Sequence, residues 1–411
     1  MSFFPLTTRR LPNNIIKTRK TLIMKIAVAM SGGVDSSVVA KILKDEGHDL
    51  VGLFLKLWSD SSNSCATRKE NRCCDYQALE DARMVASRLD IPFYVINATV
   101  EFKKEVVDYF LNEYKNLRTP NPCIVCNQTI KFDLLLRKAL SIGCDKLATG
   151  HYARIAEGNS GNSKFQIPNS KQIINAKESV FKLFKGIDDS KDQSYMLYRL
   201  NQNQLSKIIF PLGEMLKKDV RNLALKWDMP VKEKPESQEI CFFADRDYRS
   251  FLGRYLNKKY FLSGEIVDTA GNVVGKHDGL LNYTIGQRKL LDQEIWRKEQ
   301  GDKKPLYVIG FDKEKNQLIV GSDKEIYKKG MVVGNLNFIH TPDSLLHFPD
   351  LSVKIRYRHP DFPCVIARSE ATQQFDKVKV LFKKPQRAVT PGQSAVFYAG
   401  DKVIGGGIIE N

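Results

Sequence analysis

Three stretches of this chain carry side chains with chemistry to offer. The first, Ser31-Gly32-Gly33-Val34-Asp35-Ser36-Ser37, is rich in glycine and hydroxyls. Two glycines let a backbone turn tightly and approach a ligand with no Cβ in the way. Ser36 and Ser37 add hydroxyl donors near a helix start, where free N–H groups favour an anion. Asp35 is a carboxylate suited to holding magnesium beside phosphates. A serine-capped helix after a glycine turn accounts for any Gly-Gly-x-Asp-Ser. The full string between a strand and a helix points instead to a nucleotide, although the Gly-Lys-Ser/Thr of a Walker loop is absent.

The second stretch is Arg118-Thr119-Pro120-Asn121-Pro122-Cys123-Ile124-Val125-Cys126-Asn127, a proline-stiffened loop ending at a helix start. A thiol there ionises more readily. The third is Ser237-Gln238-Glu239-Ile240-Cys241-Phe242-Phe243, far along the chain. Blander readings exist for both. A Cys-x-x-Cys pair is half of a zinc site, but no second pair of Cys or His completes it. Cys241, flanked by apolar residues, would also serve as core. Cys65, Cys73, Cys74, Cys144 and Cys364 read as buried or incidental thiols.

The elements that must position these residues follow from apolar periodicity. Residues 25–30 and 50–57 predict buried strands, with a helix between them carried by Val34, Val38, Ile42 and Leu43 and stopped at Gly47. Helices over about 78–89, 100–117 and 128–142 alternate with strands at 93–96 and 146–148. This rhythm predicts an α/β fold with a doubly wound parallel sheet. The polar, aperiodic residues 157–180 read as an inserted surface loop. A helical, charged stretch over 211–262 predicts a small connecting domain. From 263 to 411 short strands dominate, at 306–311, 317–320, 331–338, 351–357, 378–382, 394–398 and 403–409, and predict a small β-barrel.

Composition narrows the classes. The 411 residues suffice for two or three domains, and 42% hydrophobic with 27% charged content is that of a globular protein. No apolar run approaches the ~18 residues a membrane span needs. Lys and Arg outnumber Asp and Glu by 64 to 47, a net charge of +17, which favours a polyanionic partner, nucleic acid first. Residues 351–411 alone carry a net +5 (ten Lys and Arg against five Asp and Glu). The basic, acid-free residues 1–34 fit a transit peptide, but Met24 opens directly onto a strand, so residues 1–23 are expected to be an over-extended start. With no secretory signal, a reducing, cytoplasmic setting is expected.

The Ser-Gly-Gly-x-Asp-Ser-Ser string resembles the signature of the PP-loop ATP pyrophosphatases, which cleave ATP between its α and β phosphates and adenylate a substrate. Further blocks at 118–132, 147–154 (with Thr149-Gly150-His151), 190–197 (with Lys191-Asp192-Gln193), 237–243, 284–288, 354–358 and 390–398 resemble the tRNA-specific 2-thiouridylase (MnmA) family from about residue 24 to 410. The resemblance implies that Ala29, Met30, Ser31, Gly32, Gly33, Val34, Asp35, Ser36, Leu55 and Gly150 meet ATP, with Mg2+. It implies a nucleophilic Cys126 and a persulfide-carrying Cys241 that end as a Cys126–Cys241 disulfide. Asn121, Pro122 and Cys123 would face the target base, the wobble uridine. His151, Lys191, Asp192, Gln193, Arg356, Tyr357 and Gln393 would contact tRNA through its anticodon arm. A persulfide donor protein or cysteine desulfurase would supply the sulfur.

One position departs from the family. Its members often have Asp where this chain has Cys123, so Cys123, Cys126 and Cys241 raise the alternative of an iron–sulfur cluster held by three thiolates. A small-molecule PP-loop synthetase and a non-enzymatic RNA-binding protein are the competing classes. The first would lack the basic barrel and the cysteine set, and the second would release no AMP or pyrophosphate.

Overall fold

The computed structural model describes residues 22–60, 76–159, 165–166, 173–174, 179–236, 240–243, 247–288, 305–339, 350–367 and 377–410. Residues 1–21, Cys65, Cys73, Cys74, Ser237–Glu239 and much of the expected insert lie outside them. The strands β1 (Lys25–Ala29), β2 (Asp49–Lys56) and β3 (Phe93–Asn97) pair in parallel, with 146–148 and 208–209 beyond β1. Alternate β1 residues serve opposite faces. Ile26 and Val28 pack with Val38 and Val39 of helix α1 (Val34–Asp45), Ala82 and Val85 of helix α2 (Tyr76–Arg88), and Val220. Ala27 faces Ile124, Phe132 and Tyr195 on the other side. Both faces are thus covered, as a parallel sheet requires.

The second cluster does not stop at the sheet. It runs on through Val396, Tyr398 and Val403, which belong to the C-terminal strands. Six of those strands close a barrel in the order 327–338, 377–387, 362–367, 351–354, 394–399 and 402–409, the last pairing back with the first. The barrel is therefore mortared to the nucleotide-type domain by shared core.

Two expectations need revision. The strands Tyr307–Asp312 and Gln317–Gly321 do not enter the barrel. They join Gly264–Val267 and Val273–His277 in a separate four-stranded sheet, because Gln317–Gly321 pairs in parallel with Gly264–Val267. The edges of the expected 157–180 loop are strand: Ala153–Asn159 and Ser179–Lys185 form an antiparallel hairpin whose ladder continues to Asn159↔Ser179. That hairpin extends the barrel sheet through Lys402↔Phe184. Gly-, Asn- and Ser-rich composition hid a ladder whose backbone bonds are indifferent to side-chain type.

Candidate active site

Beyond Ala29 the chain leaves β1, and strand order reverses here: β2 and β3 lie on one side and 146–148 on the other. At such a switch point the loops after neighbouring strands diverge and leave a crevice at the strands' carboxyl ends. Residues 30–33 form one wall and 149–152 the other. Gly32 adopts φ +67°, and a Cβ there would lie 2.1 Å from the Ala78 carbonyl oxygen, so only glycine lets the loop seat on α2. A Cβ on Gly150 would lie 2.9 Å from the Asp35 Cβ, so the two walls touch.

Gly33 opens the 12-residue α1 without a side-chain cap. The first amides of that helix have no internal acceptors, which makes its end a phosphate site. The serines serve the loop itself. Ser36 and Ser37 donate their hydroxyls back to the Gly33 carbonyl at 3.1 and 2.8 Å, and Ser36 Oγ accepts the Ser31 N–H at 3.2 Å. Ala29, Met30 and Val34 anchor the loop by packing, with Met30 donating its N–H to the Leu53 carbonyl at 2.8 Å. Leu55, near the end of β2, packs against both the cluster of Ala27 and that of Cys126.

Asp35 is where the structure adds most. Lys217 Nζ lies 2.6 and 2.7 Å from its two carboxylate oxygens, and the Tyr152 hydroxyl donates to Oδ1 at 2.9 Å. Lys217 opens the helix Lys217–Lys226 and its backbone N–H is held by Asp188 Oδ2 at 2.8 Å. Its ammonium also meets Glu236 at 3.4 Å, and Glu236 in turn pairs with Lys191 at 2.6 Å and Arg221 at 3.7 Å. Burial would raise the Glu236 carboxyl, but Lys191 and Lys217 outweigh it and hold it below its usual range. Sequence reasoning missed Lys217 and Glu236; a lysine in a charged helix gives no local sign of a buried partner far upstream.

The cysteine loop is built around a cap. Asn121 accepts the Cys123 N–H on its side-chain oxygen at 3.2 Å, with Pro122 in the first helical turn. The helix runs on through residues 122–141, and Cys126 opens a stretch wound in wider π turns. Such windings recur at functional sites. Cys126 is 7% exposed and packs in the cluster with Phe102, Phe110 and Phe242. Cys241 packs against that same cluster. Cys123 is half-buried beside Tyr357, whose hydroxyl is pushed up by burial first, with Asp192 and Cys123 among the charges that add to it.

The barrel reaches this loop directly. Gln393 Nε2 donates to the Thr119 carbonyl at 2.8 Å, and Thr119 donates its N–H to the Pro391 carbonyl at 2.9 Å. Gly392, at φ +90°, packs so closely that a Cβ would lie 2.8 Å from the Thr119 nitrogen.

Several residues expected to contact RNA have partners within the protein. His151 is buried between Phe132 and Phe210, with Nδ1 2.7 Å from Thr149 Oγ1. Asp192 accepts from Gly186 and Ser194 on Oδ1 and from the Ser194 hydroxyl on Oδ2. Gln193 accepts the Tyr152 N–H at 2.9 Å, Lys191 is held by Glu236, and Arg356 donates to the Ala388 carbonyl and to Thr390 Oγ1.

The expected cluster does not fit. Among the described residues no three His, Cys, Asp or Glu side chains are placed to hold a metal ion, and Cys126 faces an apolar cluster. A phosphate-bound magnesium ion asks less, one or two carboxylates beside the phosphates, and Asp35 is such a carboxylate.

A doubly wound sheet with an uncapped helix end at its switch point, joined to a basic barrel, is an α/β domain of the kind that can receive a nucleotide, followed by a second, β-rich body. The family models agree: residues 24–245 match the tRNA methyl transferase HUP domain, 249–322 the tRNA methyl transferase PRC-barrel domain and 328–409 the aminomethyltransferase beta-barrel domain. The tRNA-specific 2-thiouridylase MnmA of Carboxydothermus hydrogenoformans is 44% identical over 94% of this chain and 97% of its own. That of Geobacter metallireducens is 44% identical over 94% of this chain and 96% of its own. The chain belongs to the tRNA-specific 2-thiouridylase family. Among solved structures, the U34-tRNA thiolase NcsA of Methanococcus maripaludis aligns over 58% of this chain and 70% of its own at 19% identity, with a TM-score of 0.33. That likeness is too slight to argue from.

Proposed function

We propose that the protein is an ATP-dependent tRNA-uridine 2-sulfurtransferase that thiolates the wobble uridine. The observation that supports this reading is that Cys126 and Cys241 pack in or against one apolar cluster, with Cys126 in the helix that Asn121 caps. The residues from Ala29 to Ser36, with Leu55 and Gly150, receive ATP, and magnesium bound at Asp35 would neutralise phosphate charge. The uridine C2 oxygen attacks the α phosphate, and pyrophosphate leaves. The outer sulfur of a Cys241 persulfide then adds to C2, and AMP departs. Cys126 thiolate attacks the inner sulfur, which breaks the S–S bond, leaves the thiocarbonyl on the base and forms a Cys126–Cys241 disulfide. An external thiol reopens it by exchange.

The uridine must leave its stack to reach two cysteines inside the protein. Asn121, Pro122 and Cys123 receive the base, with Tyr357 beside Cys123. Of the residues expected at the RNA, Tyr357 is the best placed to meet it; His151, Lys191, Asp192, Gln193, Arg356 and Gln393 contribute by holding the surface that meets the anticodon arm. A persulfide-bearing protein or a cysteine desulfurase supplies Cys241, and the reaction belongs to the cytoplasm. Among the described residues no helix is long and apolar enough to cross a membrane.

The test is anaerobic incubation of the protein with tRNA, ATP, magnesium and a persulfide source, followed by nucleoside analysis. Expected are 2-thiouridine with AMP and pyrophosphate in equal amounts. Thiolated nucleoside formed without AMP would overturn the adenylation route.

A further inference from the structure

Lys217 lies at Asp35, the carboxylate assigned above to magnesium. Its ammonium spans both Asp35 oxygens at 2.6 and 2.7 Å, the distances of a close ion pair. The side chain is only 10% exposed, whereas Asp35 is 33% exposed and faces the crevice. Glu236 stands behind the ammonium at 3.4 Å, anchored by Lys191 and Arg221. Tyr152 presents its hydroxyl to Asp35 and its ring to the ammonium, 5.6 Å from the centroid.

We propose that Lys217 is a positioning residue that stands in for magnesium on Asp35 while the nucleotide crevice is empty. Two cations cannot share one carboxylate at short range without strong repulsion. Bare metal is therefore turned away. MgATP brings its own negative charge to the uncapped end of α1, so the ammonium swings from Asp35 toward the phosphates and Glu236 while the metal takes the carboxylate. Lys217 thus makes metal binding conditional on nucleotide. This rests on the reading of the crevice as an ATP site.

The experiment measures Mn2+ binding to the full-length protein by electron paramagnetic resonance, with and without α,β-methylene-ATP. In the wild type, binding is expected to tighten at least about tenfold when the nucleotide is added, the scale of an ordinary coupling between two ligands. Lys217→Met should bind Mn2+ at least about tenfold tighter than wild type in the absence of nucleotide, and should form AMP about a hundredfold more slowly, as when one phosphate-facing donor is lost. Lys217→Arg, which keeps the charge, should restore the weak bare-metal binding. Equal Mn2+ affinity in wild type with and without bound nucleotide would overturn the inference, and this measurement needs no variant. So would a folded Lys217→Met protein whose bare-metal affinity is unchanged. A wild type that binds no nucleotide would overturn the functional reading itself, and this inference with it.

Discussion

Cys126 and Cys123 are three residues apart yet occupy different surroundings. Cys126 lies in the apolar cluster against which Cys241 also packs, while Cys123 is half-buried and adds to the charge felt by the Tyr357 hydroxyl. Cys126→Ser is expected to abolish thiolation, and Cys123→Asp to retain at least about a tenth of it, since a carboxylate there would act as an acid or base near the uridine. Nucleoside analysis of both variants decides the matter, and loss of activity in Cys123→Asp would require a third thiol in the chemistry. His151 gives a prediction about stability. Burial, with Lys131 adding to it, holds its imidazole well below the usual 6.5. The folded protein keeps the ring neutral while the unfolded chain takes up a proton below about pH 6.5. Its contribution is thus intact at pH 7.5 and is lost as pH falls below 6.5, by up to about 1.4 kcal/mol per unit. Urea unfolding at pH 7.5 and 5.5 should show that drop, and His151→Gln should shrink it; an equal drop in the variant would exclude His151 as a cause.

At the scale of elements, the hairpin Ala153–Asn159 and Ser179–Lys185 is the clearest case of a structure hidden in loop-like sequence. Its ladder joins the barrel sheet. Replacing residues 160–178 by a two-residue Asn-Gly turn removes the short pairing of 165–166 with 173–174, keeps every pair from Ala153↔Lys185 to Asn159↔Ser179 and supplies a favoured hairpin turn. Such a variant should melt within a few degrees of wild type. Removing 157–180 instead cuts the pairs Glu157↔Phe181 and Gly158↔Val180 and should lower the melting temperature clearly. Calorimetry on the two separates a dispensable tip from a required ladder, and equal melting of both would show that the ladder's end contributes nothing.

For the whole molecule the governing quantities are charge and the bond between domains. A net charge of +17 predicts tRNA affinity that falls steeply with salt, through release of counterions from the RNA backbone. Arg356 donates into the barrel, whereas its neighbour Arg358 is exposed. Arg358→Ala is therefore expected to flatten the slope of log affinity against log salt by about 0.7 to 0.9, the value for one phosphate contact. Arg356→Ala should act mainly on stability, by removing the guanidinium bonds to Thr390 Oγ1 and to the Ala388 carbonyl, which keeps only the Thr390 hydroxyl as donor. Filter binding over a salt series reads the slopes directly, and an unchanged slope in Arg358→Ala removes it from the RNA surface. The core running from the sheet into Val396, Tyr398 and Val403, together with Gln393 on Thr119, makes the cysteine loop depend on the barrel.

How much was legible in advance follows from how local each feature is. The parallel sheet, α1, the phosphate loop and most barrel strands announce themselves through apolar period and glycine, because both act within a few residues along the chain. The basic C-terminal segment was legible by its count of charges. What no local pattern carries is partnership across the chain. Only the tertiary structure decided that Lys217 would hold Asp35, that Gln393 would tie Thr119, and that His151, Asp192 and Arg356 would turn inward. It also decided that the strands near 307 and 317 would leave the barrel for Gly264–Val267. Each depends on which distant segments the hydrophobic core forces together, and a polar side chain reads the same in sequence whether it meets solvent or a buried partner.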